Sequence, residues 1–355
     1  MITFIDLLKN DDFRNYVSKR IAGVSKEQYT FSDSFPKLYR YRSLSTYSID
    51  DIINGKITLS SIGEFNDIFD GALHQYGSDQ EIEEAAEAKW EELETLLISA
   101  RLPKNILQRD NIVVPYINHL KTESRLKFRE LEYLGTYVCC FSKDSQSTLM
   151  WAHYADSNKG ICIEYDFNNV PAEHIVRKSI FPIAYTPAPI NVEDLLSENG
   201  RQIYQYPLDA AILCTALNKA SIWQYEQEWR FVWVLTSSND NKRRIPINSP
   251  VNPSRIYLGY HFLKAFFYYD LKDENERQGA INKIKKFMEL INFMQKNTIP
   301  AAVMVPSKGS YNFESCEIPI DRLRSFMFQY FHDEQPESMR YYYTIHDHLM
   351  DLIGK

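Results

Sequence analysis

The sequence predicts an α+β fold, a mixed and mainly antiparallel sheet carrying a helical insertion. Three observations predict it. Short β-rich runs recur between turn signals from residue 36 to residue 320. Residues 79–134 become rich in Glu, Lys and Leu, with apolar positions at helical spacing. The stretch 137–167 reads strand, polar loop, aromatic turn, strand, which is how binding residues are presented on loops held by a rigid sheet. The expected organisation is an N-terminal helix and link over 1–35, one α+β unit over 36–320 and a C-terminal tail over 321–355.

Residues 1–35 place Ile5, Leu8, Phe13 and Val17 on one side of a helix, followed by a Ser-rich link. From Lys37 to Leu44 aromatic and basic residues alternate, the period of a half-buried strand with Arg40 and Arg42 on one face. Arginines on such a face are commonly solvated. A short helix fits 46–54, with Gly55 where a C-terminal glycine belongs. Lys56–Ser60 reads as the second strand. In the loop Glu64–Gly71, Phe65 and Phe69 act as anchors, while Asn66, Asp67 and Asp70 cap turns or present carboxylates.

In the insertion, Ile82, Ala86, Trp90, Leu93 and Leu97 share one helical face, with Glu81, Glu84, Glu87 and Glu91 elsewhere. Pro103 and Pro115 divide it into three helices lying over the sheet. Tyr137–Phe141 is the next strand, and Ile161–Tyr165 the one after the Asp156–Gly160 turn. Residues 168–200 read as a long loop and Leu208–Ala220 as an amphipathic helix. Strands are expected near the end of 221–235 and over 254–259, 301–305 and 311–318, with a long helix over 273–297. Glu226 and Glu228 stand two apart, on one face of a regular strand. Two carboxylates so placed repel, so the pair needs a partner cation, for which Arg230 is the simplest choice, or a chemical task.

Composition narrows the function. The 355 residues are 44% hydrophobic and 25% charged, which is ordinary for a globular chain. Twenty-four Tyr and twenty Phe suit pocket walls and interfaces. A net charge of −7 does not favour phosphate backbones in bulk. Five Cys without regular spacing or a paired zinc pattern point to reduced cytosolic thiols. Acids interrupt the first apolar run, unlike a signal peptide, and no apolar stretch reaches membrane-spanning length. A cytoplasmic protein outside the membrane is expected. His346 and His348 flank Asp347 without completing a metal set, so they default to the surface.

LYRYRSL, FNDIFDG, CFSKDSQSTLMWAHYADSNKGICIEYD and YEQEWR occur here in order. Over roughly residues 37–320 the chain thereby resembles the bacterial domain-of-unknown-function family 2971, which usually carries FNDPFD, so that Ile68 is a departure. The motif order is also similar to that of ADP-ribosyltransferases: an Arg on the first strand (Arg42 or Arg40), a Ser on a middle strand (Ser142) and a later Glu-x-Glu (Glu226, Glu228). That similarity implies the corresponding fold and NAD as substrate. Its pyrophosphate would be held by arginine, its nicotinamide walled by Trp151 or Tyr154, and the loop residues Asn66 and Asp67 would lie at the rim. A carboxylate, Glu228 or Glu226, would stabilise the oxocarbenium-like transition state. It further implies a macromolecular acceptor, protein or nucleic acid, and an antitoxin or regulatory partner, as in bacterial toxins and antiviral-defence effectors. Arg42, Ser142, Tyr154 and Glu228 should then line one pocket. A Glu228 turned into the core, or onto the face opposite Arg42, would make the transferase hypothesis fail outright, with Glu226 then the residue to re-examine. Two alternatives stand beside it: a metal-dependent nuclease or hydrolase using Asp67, Asp70, His153 and Glu228, and a non-catalytic sensor or interaction module.

Overall fold

A computed structural model describes residues 8–10, 13–15, 17, 35–67, 69–71, 73–74, 79–101, 108–118, 135–188, 190–191, 213–234, 243–266, 273–331 and 349–354. Ten described strands form one sheet: β1 (Leu38–Arg42), β2 (Lys56–Ser61), β3 (Thr136–Ser142), β4 (Ile161–Tyr165), β5 (Ile180–Pro182), β6 (Glu228–Val234), β7 (Arg244–Asn248), β8 (Arg255–Leu258), β9 (Ala301–Pro306) and β10 (Phe313–Ile318). They run in the order β7-β2-β3-β1-β4-β8-β9-β10, with β6 also on β3 and β5 beyond β6. Every pairing in this sheet is antiparallel except β8 with β9. The expected mixed, mainly antiparallel sheet is therefore present.

The alternation of side chains along the strands sets up two faces. Leu38, Leu59, Phe141, Ile163, Ile256 and Val303 point to one face. There they meet α1 (Thr46–Ile53) and α4 (Glu274–Lys296), whose Ile49, Phe287, Leu290 and Ile291 are buried in the same core. The α4 helix starts where the Asp273 side chain accepts from the Asn275 and Glu276 amides, satisfying two of its free N–H groups. The opposite face carries two smaller cores. One gathers Val138, Phe181, Leu213, Leu217 and Val232, and the other gathers Tyr41, Met150, Trp151, Cys162, Tyr257 and Met304.

One departure from regular pairing positions the site. β3 pairs with β6 along its whole length, from Thr136 opposite Val234 to Ser142 opposite Glu228. Its other edge is shared: Tyr39 of β1 sits opposite Ser142, while Ser60 and Ser61 of β2 sit opposite Val138 and Tyr137. Between these contacts β1 and β2 part, and the sheet forks over Cys139–Phe141.

Helix α3 (Thr148–Tyr154), capped by the Ser147 hydroxyl, leads into β4 through Asp156, Ser157 and Asn158, all at positive φ. The turn closes against β1 at Gly160, where a Cβ would run into the carbonyl oxygens of Arg42 and Ala155. Gly160→Ala is therefore expected to cost roughly 1–3 kcal/mol, as overpacking against backbone does, measured as a lowered urea midpoint. An unchanged midpoint would show that this turn yields freely.

Several segments differ from expectation. The stretch read as a loop after residue 168 contains β5 and the strand Ala184–Thr186, both too short to show a period. The segment Leu208–Ala220 is helical only over 213–216 among its described residues. Asn218–Ala220 is a strand parallel to Ala184–Thr186. The Asn218 amide bonds the Thr186 hydroxyl and the Ala184 carbonyl, drawing the chain out of the helix. β7, an exposed edge strand, was not expected. In the insertion, α2 (Asp79–Ser99) and residues 109–118 are helical, and Pro115 lies inside the latter instead of dividing it. Residues 102–107 and 119–134, Ile68, and the His346–His348 group lie outside the described residues. Leu323, Met327, Leu349 and Leu352, from the segment expected as a tail, are buried in the main core.

Candidate active site at the fork of the sheet

Where β1 and β2 part there is a half-open cleft with a volume of about 210 Å³. Arg40, Arg42, Ser142, Tyr154, Glu226 and Glu228 all line it, together with Asn66 and Asp70 of the FNDIFDG loop. Its apolar surface comes from Tyr39, Tyr41, Phe65 and Met150.

The floor of the cleft is a buried charge cluster in which two cations face three carboxylates. Arg230, fully buried, donates from Nη1 and Nη2 to the two Asp70 oxygens at 2.7 and 2.6 Å, and from Nε to Glu228 Oε1 at 2.7 Å. Lys219 Nζ reaches Glu226 Oε2 at 2.5 Å, Glu228 Oε2 at 3.0 Å and Asp70 Oδ2 at 3.5 Å. Glu226 Oε1 accepts the Tyr154 hydroxyl at 2.6 Å. Burial of the dyad from water would raise both glutamates, but their partners differ. For Glu228 that burial is outweighed by Arg230 and then Lys219, which hold its carboxyl far below the usual range. For Glu226 burial wins, aided by the neighbouring Glu228 charge, so its carboxyl lies above the usual range despite Lys219 and Tyr154.

The two glutamates do not share a regular strand. Glu226 ends a 3-10 turn (Ser221–Glu226), Gln227 is left-handed at φ 45°, and β6 begins at Glu228. The kink makes both carboxylates converge on Lys219. Ser142 fixes the turn: its hydroxyl, fully buried, donates to the Glu226 carbonyl at 2.7 Å and accepts the Asp144 amide.

The arginines reach the cleft from elsewhere. Tyr39 and Glu228 are the register partners of Ser142 on its two sides, so the three share a face. Alternation sets Arg40 and Arg42 on the opposite face, so the expectation that Arg42 and Glu228 face one way is not met. They line the cleft through the gap of the fork, where Arg40 Nη2 donates to the Thr58 carbonyl of β2 at 2.5 Å. Arg42 is half-buried, with Asp51 at 3.9 Å. The adjacent Arg40 charge, then burial, lower its pKa to about 10.

Other expected residues are placed differently. Trp151 forms no wall of the cleft: it is fully buried, packs edge-on against Tyr41, and donates its indole N–H to the Ser145 carbonyl. Asp67 uses Oδ1 to accept the Phe69 amide, an Asx turn, and does not line the cleft. Asn66 lines it. His153 is exposed and shares a 3.0 Å hydrogen bond with the Tyr225 hydroxyl. Asp70 and Glu228 are taken up by Arg230 and Lys219. Among the described residues no group of three or more His, Cys, Asp or Glu side chains could hold a metal ion. Lys219 was missed by sequence reasoning. Its one signal is a lysine inside an otherwise uncharged run, Ala216 to Tyr225.

Tyr154→Phe removes a hydrogen bond that stabilises the ionised Glu226. Its titration midpoint, followed by carbon-13 NMR of labelled glutamate carboxyls, should rise by roughly one pH unit or less. A midpoint that stays put or falls would remove Tyr154 from control of Glu226.

No helix among the described residues is long and apolar enough to cross a membrane. No curated protein and no solved structure matches the chain. The model of the family described as "Protein of unknown function (DUF2971)" matches residues 150–231, a span holding most of α3, β4, Lys219, both glutamates and Arg230. Over that span, which supplies most of the charged floor of the cleft, this chain is similar to that family.

Proposed function

We propose that the cleft binds NAD and that the protein transfers ADP-ribose from it to a macromolecule, protein or nucleic acid, with Glu226 as the acting carboxylate. The transferase reading built on Glu228 fails, because Glu228 lies on the face opposite Arg42 and both its oxygens are held by Arg230 and Lys219, and Glu226 is re-examined in its place. One observation supports the surviving form. Glu226 sits at the floor of the fork, and its Oε1 is met by the neutral hydroxyl of Tyr154. Two arginines stand on the same cleft, where a pyrophosphate offers the planar, bidentate anion that guanidinium matches.

In this scheme the nicotinamide ring sits against the Tyr39, Tyr41 and Phe65 side. The N-glycosidic bond breaks with its electron pair going to the ring nitrogen, so the pyridinium leaves as neutral nicotinamide. The ribose carbon becomes oxocarbenium-like, stabilised by the Glu226 carboxylate. An acceptor nucleophile then bonds to that carbon and releases its proton. A toxin or defence effector with an antitoxin or regulatory partner fits this chemistry.

The test is calorimetric NAD binding together with nicotinamide release in cell extract, with and without a chelator. Chelator-insensitive release is expected. Arg42→Ala should weaken NAD binding roughly 10–100-fold, the worth of one charge-assisted contact. Release that the chelator abolishes would favour a metal-dependent hydrolase. Neither binding nor release would leave a non-catalytic sensor or interaction module.

A further inference from the structure

We propose that Lys219 positions Glu226, its ammonium fixing the orientation and the charge of that carboxylate at the floor of the cleft. This rests on the transferase reading only for the use to which Glu226 is put. The geometry stands alone. Lys219 lies on the short strand Asn218–Ala220, directly before the 3-10 turn that ends at Glu226. Its 2.5 Å bond to Glu226 Oε2 therefore closes that turn upon itself, just ahead of the left-handed Gln227.

A lysine this buried is held by its surroundings. Burial disfavours the ammonium, but Glu228, Asp70 and Glu226 around it outweigh that and raise its pKa above the ordinary lysine range. Its ammonium lies over the Trp223 ring, with Nζ 5.2 Å from the centroid. An ammonium so surrounded can hold Oε2 of Glu226 while leaving Oε1 to Tyr154 and the cleft. The groups that face Glu226 are Lys219, Glu228, Tyr154, Tyr185 and Tyr225, with Arg230 and Asp70 behind them. Of these, Lys219 is the cation in direct contact with it.

The experiment reads the Glu226 carboxyl by carbon-13 NMR in the full chain, without any turnover assay. Lys219→Met should raise its titration midpoint by about one to three pH units, the effect of removing an opposite charge at contact distance. Lys219→Arg should bring the midpoint back towards that of the wild type. A midpoint unmoved in a folded Lys219→Met protein overturns the proposal. Should that variant not fold, the wild type decides by nitrogen-15 NMR of its lysine ammonium groups. Lys219 must stay protonated beyond the range in which the surface lysines titrate, and an ordinary titration overturns the proposal. If the midpoint shifts as expected but no NAD is consumed, the positioning role holds and the transferase reading falls.

Discussion

Arg230→Met is expected to lower the stability of the protein by roughly 3–5 kcal/mol, the cost of leaving buried charge without its partner. Arg230 is fully buried and is the bidentate partner of Asp70. Its loss strands that carboxylate and takes one of two cations from Glu228. Urea unfolding measures the loss, and a change below about 1 kcal/mol would mean that water or a neighbour replaces the guanidinium. Removing the stranded acid as well, in Asp70→Leu with Arg230→Met, should recover part of the loss, because an apolar pair of similar volume often substitutes for a buried ion pair. The dependence on pH has a definite sign. Glu228 is depressed in the folded state, so its stabilising contribution is present above the ordinary glutamate range and is lost as pH falls through and below it. Glu226 is raised, so its contribution is present below that range and fades as pH climbs through its shifted value. Acid should therefore loosen the cluster through Glu228.

Glu226→Gln is expected to reduce nicotinamide release by roughly 10²–10³-fold while leaving NAD binding in place, since the charge matters most in the transition state. The substitution keeps the shape and still accepts from Lys219. It also relieves a carboxylate from a cluster with one more acid than base, so the unfolding midpoint should hold or rise. Glu228→Gln should behave in the opposite way, with Arg230 and Lys219 losing a shared counter-ion and stability falling first. Equal, wild-type release from Glu226→Gln would remove it from the mechanism.

Much of the sheet was legible because its signals are local. Ile161–Tyr165 is an apolar run closed by a turn, and the strand has those bounds. Asp273 announces the start of α4, and the apolar period of that helix carries it to Lys296. Arg40 and Arg42 were rightly placed together on one face by their spacing of two. What spacing cannot tell is which way that face looks, because this depends on how β1 registers against β3. The Glu226–Glu228 pair was misjudged for a related reason. Period two assumes an unbroken strand, and the left-handed Gln227 breaks it between them. Arg230 was legible as the partner of Glu228, being two residues along the same strand. Its bond to Asp70 spans 160 residues and has no local trace. Trp151 invited a role in binding because it is large and sits beside a polar loop, whereas the depth of its pocket is a property of four strands at once.

The fork also decides how stiff the opening is. Around Cys139–Phe141 no ladder of backbone hydrogen bonds transmits twist between the β7–β2 wing and the wing that starts at β1. Each wing is fastened to β3 at one end, so the angle between them depends on the contacts that bridge the gap, the Arg40–Thr58 bond among them. Arg40 thereby acts on the aperture itself, and a shorter side chain there alters the width of the slot as well as taking one of the two arginines from it.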